Sequence, residues 1–497
     1  MEMVYSGRKI EKVEEETMKK KLLLFGAAFC IAGAAHASTA MAKENANAIS
    51  VSPYGAEQEN EDAGAKINEA IADAVTLGNT DVYLQEGKYT LKSTIKLVSG
   101  VNIIADANAQ IVRGANVEAV TADTSISDVT ISGGKWDGNN FAKEMMDLRG
   151  DKLRLVNFSL YGAGYKGIIL RGGNDELYNL EVKNNTSSGV HLIGTNAQVS
   201  NCTFSGNGER GIIVTDNGNM NMSDCQAFDN GKKHTSVGHG IGIGRSSVAT
   251  ITRSNISLND QCGISLSGGS TVNMVGVNTV NSNGRHGIGT DSSDTVNVSA
   301  GSEFNSNGYN GISVGRGSKG NIEDIETKNN AVSGISVNAS SATIRNVEST
   351  GNKGYGVLTN AAKVYIYDTE MSSNGKEGLC ASTKSYVWAT GCAFNNNKMF
   401  GVFAQNAGTK LVILGESTLN NNTRSGACIT TKAKLSLTYS TVSKNGLIGL
   451  SFHNGGIANN IRKNVISSHK KCGIYRDGAS MKKVKNNTIT GTPKAFN

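Results

Sequence analysis

Residues 307–314 read NGYNGISV, residues 330–337 read NAVSGISV and residues 352–359 read NKGYGVLT. In each, an asparagine stands four positions before a glycine, and the glycine opens a short run of alternating apolar and arbitrary residues. The same frame begins at Gly167, Gly189, Gly211, Gly240, Gly263, Gly287, Gly311, Gly334, Gly356, Gly378, Gly401, Gly426, Gly449 and Gly473, at intervals of 22 to 25 residues with one of 29. A fixed period of this size is the mark of a repeat architecture. Each unit is too short for a strand–helix–strand crossover and cannot bury an apolar face alone, so neighbouring units must stack.

A second column fixes the register. Asparagine precedes the glycine by four at Asn185, Asn207, Asn259, Asn283, Asn307, Asn330, Asn352, Asn374, Asn397, Asn422 and Asn445. In coils stacked about every 4.8 Å, these side chains would lie above one another and hydrogen-bond along the column. The glycine supplies the tight turn into the strand. The residues one and three after it point inward, and the residue two after it points outward. The reading is all-β: a right-handed parallel β-helix.

Composition agrees. Of 497 residues 60 are glycine and only two are proline, Pro53 and Pro493, as a chain full of ladder-forming strands requires. Aromatics make up only 6%, which implies a thin aliphatic core. The formal net charge is +7, an excess that favours an anionic partner. No dense basic stretch with interleaved aromatics marks a nucleic-acid surface. Of eight cysteines, Cys202 and Cys225 occupy the same place in consecutive coils, and Cys392 shares it further on. Small buried apolar residues and a Cys202–Cys225 bridge are both open at this point.

The N-terminus reads as a targeting segment. Lys19, Lys20 and Lys21 precede an apolar run from Leu22 to Ala35, followed by Ala35-His36-Ala37 and Ala40-Met41-Ala42. Residues 18–42 are expected to be a secretory signal peptide, too short to span a membrane, so the mature protein is expected outside the cytoplasm, secreted or periplasmic, with no membrane contact. Residues 1–17, with Glu14, Glu15 and Glu16, read as an upstream segment translated from a purine-rich bacterial ribosome-binding site. Residues 43–149 are assigned to an N-terminal cap and first coils, 150–492 to the regular repeats, and 493–497 to a tail. Within the cap, Asp62 to Ala74 is predicted as an amphipathic helix with Ile67, Ala70, Ile71 and Ala74 on one face and Asp62 as N-cap. Such a helix would cover the open edge of the first coil.

Here a family resemblance becomes specific. YGAEQENEDAGAKINEAIADA, VYLQEGKYTL, VNIIAD and ISGGKWDGNN at Ile131–Asn140 are similar to the opening of pectin-lyase-like proteins, whose members include pectate lyases, polygalacturonases, alginate epimerases and phage tailspikes. Gln85 stands where that family usually has proline. With the repeats, the resemblance covers about residues 50–490 and implies the fold; the activity it implies is not single, because one fold hosts many chemistries.

One interval departs from the period. The 29 residues between Gly211 and Gly240 place an insertion, GKKHTSVGH, after Asn230. It carries Lys232, Lys233 and His234 and ends at His239. Insertions in solenoids collect on one face, often the binding face. The residue before each repeat glycine forms a further column containing Lys166, Arg210, His239, Cys262 and His286. His191, Arg171 and Arg245 are outward neighbours, with Asp216 and Asp291 at strand ends. This basic groove suits uronic acid polymers. For β-elimination, His239 is the candidate base, with Arg210 or Lys233 neutralising the developing enolate and His286 nearby. Turn histidines bonded to backbone and a solvated basic loop account for the same residues without chemistry.

GHGIGIG at Gly238–Gly244 resembles the Gly-His-Gly motif of polygalacturonases, but the aspartates and the Arg-Ile-Lys stretch that accompany it there do not appear. The Asp-Pro-His motif of alginate epimerases and an acidic calcium cluster are also missing, and no cofactor or metal is implied. Tyr309, Tyr355, Phe400, Phe403 and Tyr475 fall near the turn or on the outward strand position, where rings stack sugars or pack under turns. The expectation is a monomeric exported β-helix that binds an acidic polysaccharide or cleaves it by β-elimination; a non-catalytic carbohydrate-binding, adhesive or structural β-helix is the alternative. A metal-assembly accessory lacks the ligand cluster it needs.

Overall fold

The computed structural model describes residues 48–232 and 236–497. From Ile49 the chain winds as a right-handed parallel solenoid of about 18 turns. Each turn contributes strands to three parallel sheets. Sheet A begins with Asp81–Leu84 and Asn102–Ala105, sheet B takes the strand after each repeat glycine, such as Ile168–Arg171 and Val190–Ile193, and sheet C holds short strands such as Glu181–Lys183 and Thr203–Ser205.

The register follows the glycine frame. Ile288, Ile312, Ile335, Val357 and Leu379 pair in succession along sheet B and all are fully buried. Val314 and Val337, two residues on, are buried as well, while Ser313 and Ser336 between them point away from the core. Apolar stripes from the three sheets meet in one continuous core along the axis. Neither proline interrupts a ladder: Pro53 lies in the turn Ser52–Tyr54, and Pro493 just precedes the strand Lys494–Phe496. That last strand pairs with Cys472–Asp477, so the segment read as a tail is part of sheet B.

The asparagine column is a hydrogen-bonded ladder. Asn307 Nδ2 donates to Asn330 Oδ1 at 3.2 Å and to the Val280 carbonyl at 3.0 Å, and its own Oδ1 accepts from both the backbone N–H and the Nδ2 of Asn283 at 3.1 Å. The same rung recurs from Asn185–Asn207 at 3.0 Å to Asn422–Asn445 at 3.0 Å. Each amide thereby satisfies turn groups that the coil itself leaves unpaired. Asn230 bonds Asn259 at 3.0 Å, so the ladder passes the 29-residue interval unbroken.

Helix α1, Ala63–Leu77, seals the first coil. It runs three residues past the predicted end and stops at Gly78, which adopts φ 69° as left-handed C-caps do. Asp62 caps it by accepting from Gly64 N at 3.1 Å, and also accepts from Lys92 N and Ser93 N at 2.9 and 3.0 Å. Asn68 donates to the Thr94 carbonyl and accepts from Lys96 N, both at 2.9 Å. The helix thus serves the edge groups that another strand would otherwise pair.

The seven described cysteines are free and buried. Cys202 N donates to Cys225 Sγ at 3.4 Å, and Cys225 N to Ser254 Oγ at 3.2 Å. The cysteine column is a run of small turn residues, and no Cys202–Cys225 bridge forms.

Candidate functional site

The outward face of sheet B between His191 and Ser267 is concave. A cleft of about 230 Å³ is lined there by His191, Arg210, Ile213, Thr215, Gly242 and Arg245. It forms because the outward residue two after the repeat glycine is small in the later coils, Gly242 and then Ser265, next to larger side chains at Ile213 and His191. A Cβ on Gly242 would sit 2.8 Å from Arg210 Cδ. The glycine is what lets the arginine lie across the sheet.

A chain of directed hydrogen bonds crosses this face. Lys166 Nζ donates to His191 Nδ1 at 3.1 Å, which places the ring proton on Nε2, 3.0 Å from Thr215 Oγ1. The Thr215 hydroxyl donates to Asp216 Oδ2 at 2.9 Å, and Arg245 Nη1 reaches Asp216 Oδ1 at 3.1 Å. Burial, reinforced by Lys166, Arg171 and Arg210, lowers the His191 pKa to about 4, so the imidazole is neutral near neutral pH. Arg171 is held by Asp147 at 2.8 Å.

Arg210 is different. The neighbouring Glu209 carboxylate accepts from Ser187 Oγ at 2.7 Å, and among the described residues no hydrogen-bond or ion-pair partner faces the Arg210 guanidinium. It is half-buried at the cleft floor, and burial pulls its pKa down. The Glu209 charge opposes that shift, but a desolvated cation with no direct hydrogen-bonded partner is costly to hold.

The other sequence candidates fall around this cleft rather than in it. His239, 6% exposed, accepts the Cys262 N–H on Nδ1 at 3.2 Å. Burial, with Arg210 and Arg285 nearby, lowers its pKa to about 3. The neutral ring therefore carries its proton on Nε2. His286 packs edge-on to Tyr309 at 5.1 Å, has a buried Nδ1 with no partner, and has its pKa lowered to about 4 by burial. Asp291 pairs with Arg316 at 3.3 Å. Phe403 stacks on Phe400 at 5.7 Å, several coils away. Lys232 pairs with Asp229 at 2.6 Å; Lys233 and His234 lie outside the described residues, as does the segment 18–42 read as a signal peptide. The inserted turn is pinched at its neck, where a Cβ on Gly231 would lie 2.8 Å from Gly238 Cα.

Lys166 and Thr215 complete the hydrogen-bonded chain but were not singled out as site residues; their signal was position, one coil either side of His191. Among the described residues no group of three or more His, Cys, Asp and Glu is disposed to hold a metal, and no helix is long and apolar enough to cross a membrane.

No curated protein matches the chain in sequence. Solved structures resemble it at low identity. ORF18 of Geobacillus virus E2 is 12% identical with a TM-score of 0.38, over 69% of this chain and 61% of its own; this chain thus spans about three fifths of that protein. The periplasmic alginate epimerase AlgG is 14% identical with a TM-score of 0.44, over 69% and 92%. PfbA, a surface adhesin of Streptococcus pneumoniae, is 15% identical with a TM-score of 0.31, over 90% and 92%. The family model described as "Right handed beta helix region" matches residues 146–299 and 333–489, the coils that carry the glycine frame, the three sheets and the asparagine ladder. The chain belongs to the right-handed β-helix family.

Proposed function

We propose that the protein is exported and binds an acidic polysaccharide, a uronate carboxylate seating on Arg210 in the sheet B cleft. The observation that carries this reading is the half-buried guanidinium with no partner among the described residues. A carboxylate matches its planar fork in a bidentate pair. Binding rather than cleavage is favoured because His191 and His239 both have Nδ1 engaged and are held neutral as donors, whereas β-elimination needs a free base.

The purified mature protein would be incubated with polygalacturonate, alginate and hyaluronan, following retention in affinity electrophoresis together with unsaturated-uronate absorbance and reducing ends. Retention without either product is expected. Arg210→Gln should weaken retention about tenfold or more at unchanged melting temperature. Undiminished retention would refute the cleft as the site, and unsaturated products lost in His239→Ala would replace binding by lyase chemistry.

A further inference from the structure

A second surface lies on sheet A, several coils further along. Outward residues of two successive strands, Lys363–Tyr367 and Tyr386–Thr390, bring four rings together, and the strand before them, Ser341–Glu348, adds Arg345. Tyr365 pairs in register with Trp388. Across the diagonals, Tyr365 lies 6.4 Å from Tyr386 and Tyr367 lies 5.3 Å from Trp388. All four rings are half-buried: held by their neighbours, with one side left to solvent. Arg345 lies 4.4 Å over Tyr367 at one end of the cluster, and Lys363 Nζ 5.4 Å from the Tyr365 ring at the other.

The cluster opens onto a shallow hollow of about 680 Å³ at the turn from sheet B to sheet A. Its floor is made of small residues, Gly317, Ala339 and Ala361, and its wall of Lys363, Lys384, Tyr365 and Tyr386. Lys363 pairs in register with Tyr386, which pairs with Lys410, which pairs with Lys434. From Lys363 at the hollow this row, interrupted by Tyr386, carries lysines on along sheet A, and among the described residues no carboxylate forms an ion pair with Lys363, Lys384 or Lys410.

We infer that this face is a second binding surface for an anionic polysaccharide, in which sugar rings lie on Tyr365, Tyr386 and Trp388 while carboxylates or sulfates meet Lys363 and Lys384. An acidic sugar can lay its C–H face on an aromatic ring and pair its carboxylate or sulfate with a nearby cation, and this surface sets rings beside lysines on successive coils. Single-stranded nucleic acid also uses rings and cations. The ring pairs here, however, are inclined at 71° and 56°, so they do not form a set of parallel platforms for successive bases. The inference stands apart from the Arg210 cleft and does not require it.

Trp388 supplies the test, because the chain has only two tryptophans and the other, Trp136, is fully buried in the core. Tryptophan emission would be followed while oligogalacturonate, neutral dextran oligosaccharide or a single-stranded oligothymidylate is added. A change with oligogalacturonate that weakens as salt rises, and none with dextran, is expected. Trp388→Ala should weaken retention on immobilised polygalacturonate about tenfold; Lys363→Gln with Lys384→Gln should do the same and remove most of the salt dependence. In Arg210→Gln the emission change should persist, which separates this surface from the cleft. If Trp388→Ala does not fold, Trp388→Phe and the double lysine variant carry the same comparison. No emission change with oligogalacturonate, unaltered retention in the folded variants, or tighter binding of the oligothymidylate would overturn the inference.

Discussion

His469 takes the place of an asparagine at the end of the ladder: its Nδ1 accepts the Asn445 N–H at 3.2 Å, and its Nε2–H donates to the Val442 carbonyl at 3.1 Å. The ring does what Oδ1 and Nδ2 do in the other rungs. Unlike an amide, it titrates. Burial lowers its pKa from 6.5 to about 4, and His191 and His286 are also lowered to about 4 and His239 to about 3. As pH falls through 6.5, the unfolded chain takes up protons that the folded chain refuses until about 4. Stability should therefore be intact above that window and fall as pH is lowered across it. His469→Asn keeps both rung functions and removes one titrating group. Its melting temperature should match the parent at neutral pH and exceed it at about pH 5; a parent-like fall would show that this ring does not contribute.

A rung in the middle of the ladder should be costly to lose. Asn307→Ala leaves the Asn283 amide and the Val280 carbonyl without their partners. Each buried group left unpaired costs about 1–3 kcal/mol. Urea unfolding should show a lower midpoint for this variant, while Asn321→Ala on the exposed face of sheet A should change it little.

The inward and outward positions of one strand should separate sharply. Ile312→Asp places a carboxylate in a column with no water and should cost about 4 kcal/mol or more. Ser313→Asp, one residue on and facing outward, should stay within about 1 kcal/mol. Equal losses in melting temperature would contradict the register.

The inserted turn should be removable. Its neck closes at Gly231 and Gly238, and the Asn230–Asn259 rung runs beneath it. Deleting residues 232–237 should leave the circular dichroism and melting temperature close to the parent. Weaker retention of acidic polysaccharide by the shortened protein would assign the turn to the sheet B site, and unchanged retention would remove it from that site.

The solenoid was legible because its period repeats the same few demands: a glycine, an asparagine and two inward apolar residues at each coil. The site was only partly legible, for a reason seen in Asp216 and Arg245. Spacing brings outward residues onto neighbouring coils, but side-chain reach decides which of them pair, so the Arg245–Asp216 ion pair at the cleft could not be read from the sequence. Arg113 was missed entirely. It ends the strand Gln110–Arg113 on the same inward face as Ile111, a place its charge argues against, and it is fully buried and donates to the carbonyls of Val117, Gly138, Phe141, Lys143 and Glu144. The four rings of sheet A were passed over because the glycine frame marks sheet B. Their alternation in KVYIY and YVWAT, one period apart, was the signal that would have found them.

Because every strand pairs with its counterpart one turn away, as Ile312 does with Ile335, the chain rarely has to search far along itself for a partner. Most all-β domains join strands from distant parts of the sequence, with relative contact orders of about 0.16–0.22, whereas helical bundles lie near about 0.07–0.12. A solenoid wound at this pitch belongs with the second group despite its strands. Loop closure costs little at each step, one finished turn templates the next, and α1 on the first coil gives that growth a covered edge to start from. Refolding is expected to be quick for a β protein of this length, and to slow when Asp62 is replaced by alanine, as stopped-flow refolding of the two proteins would show.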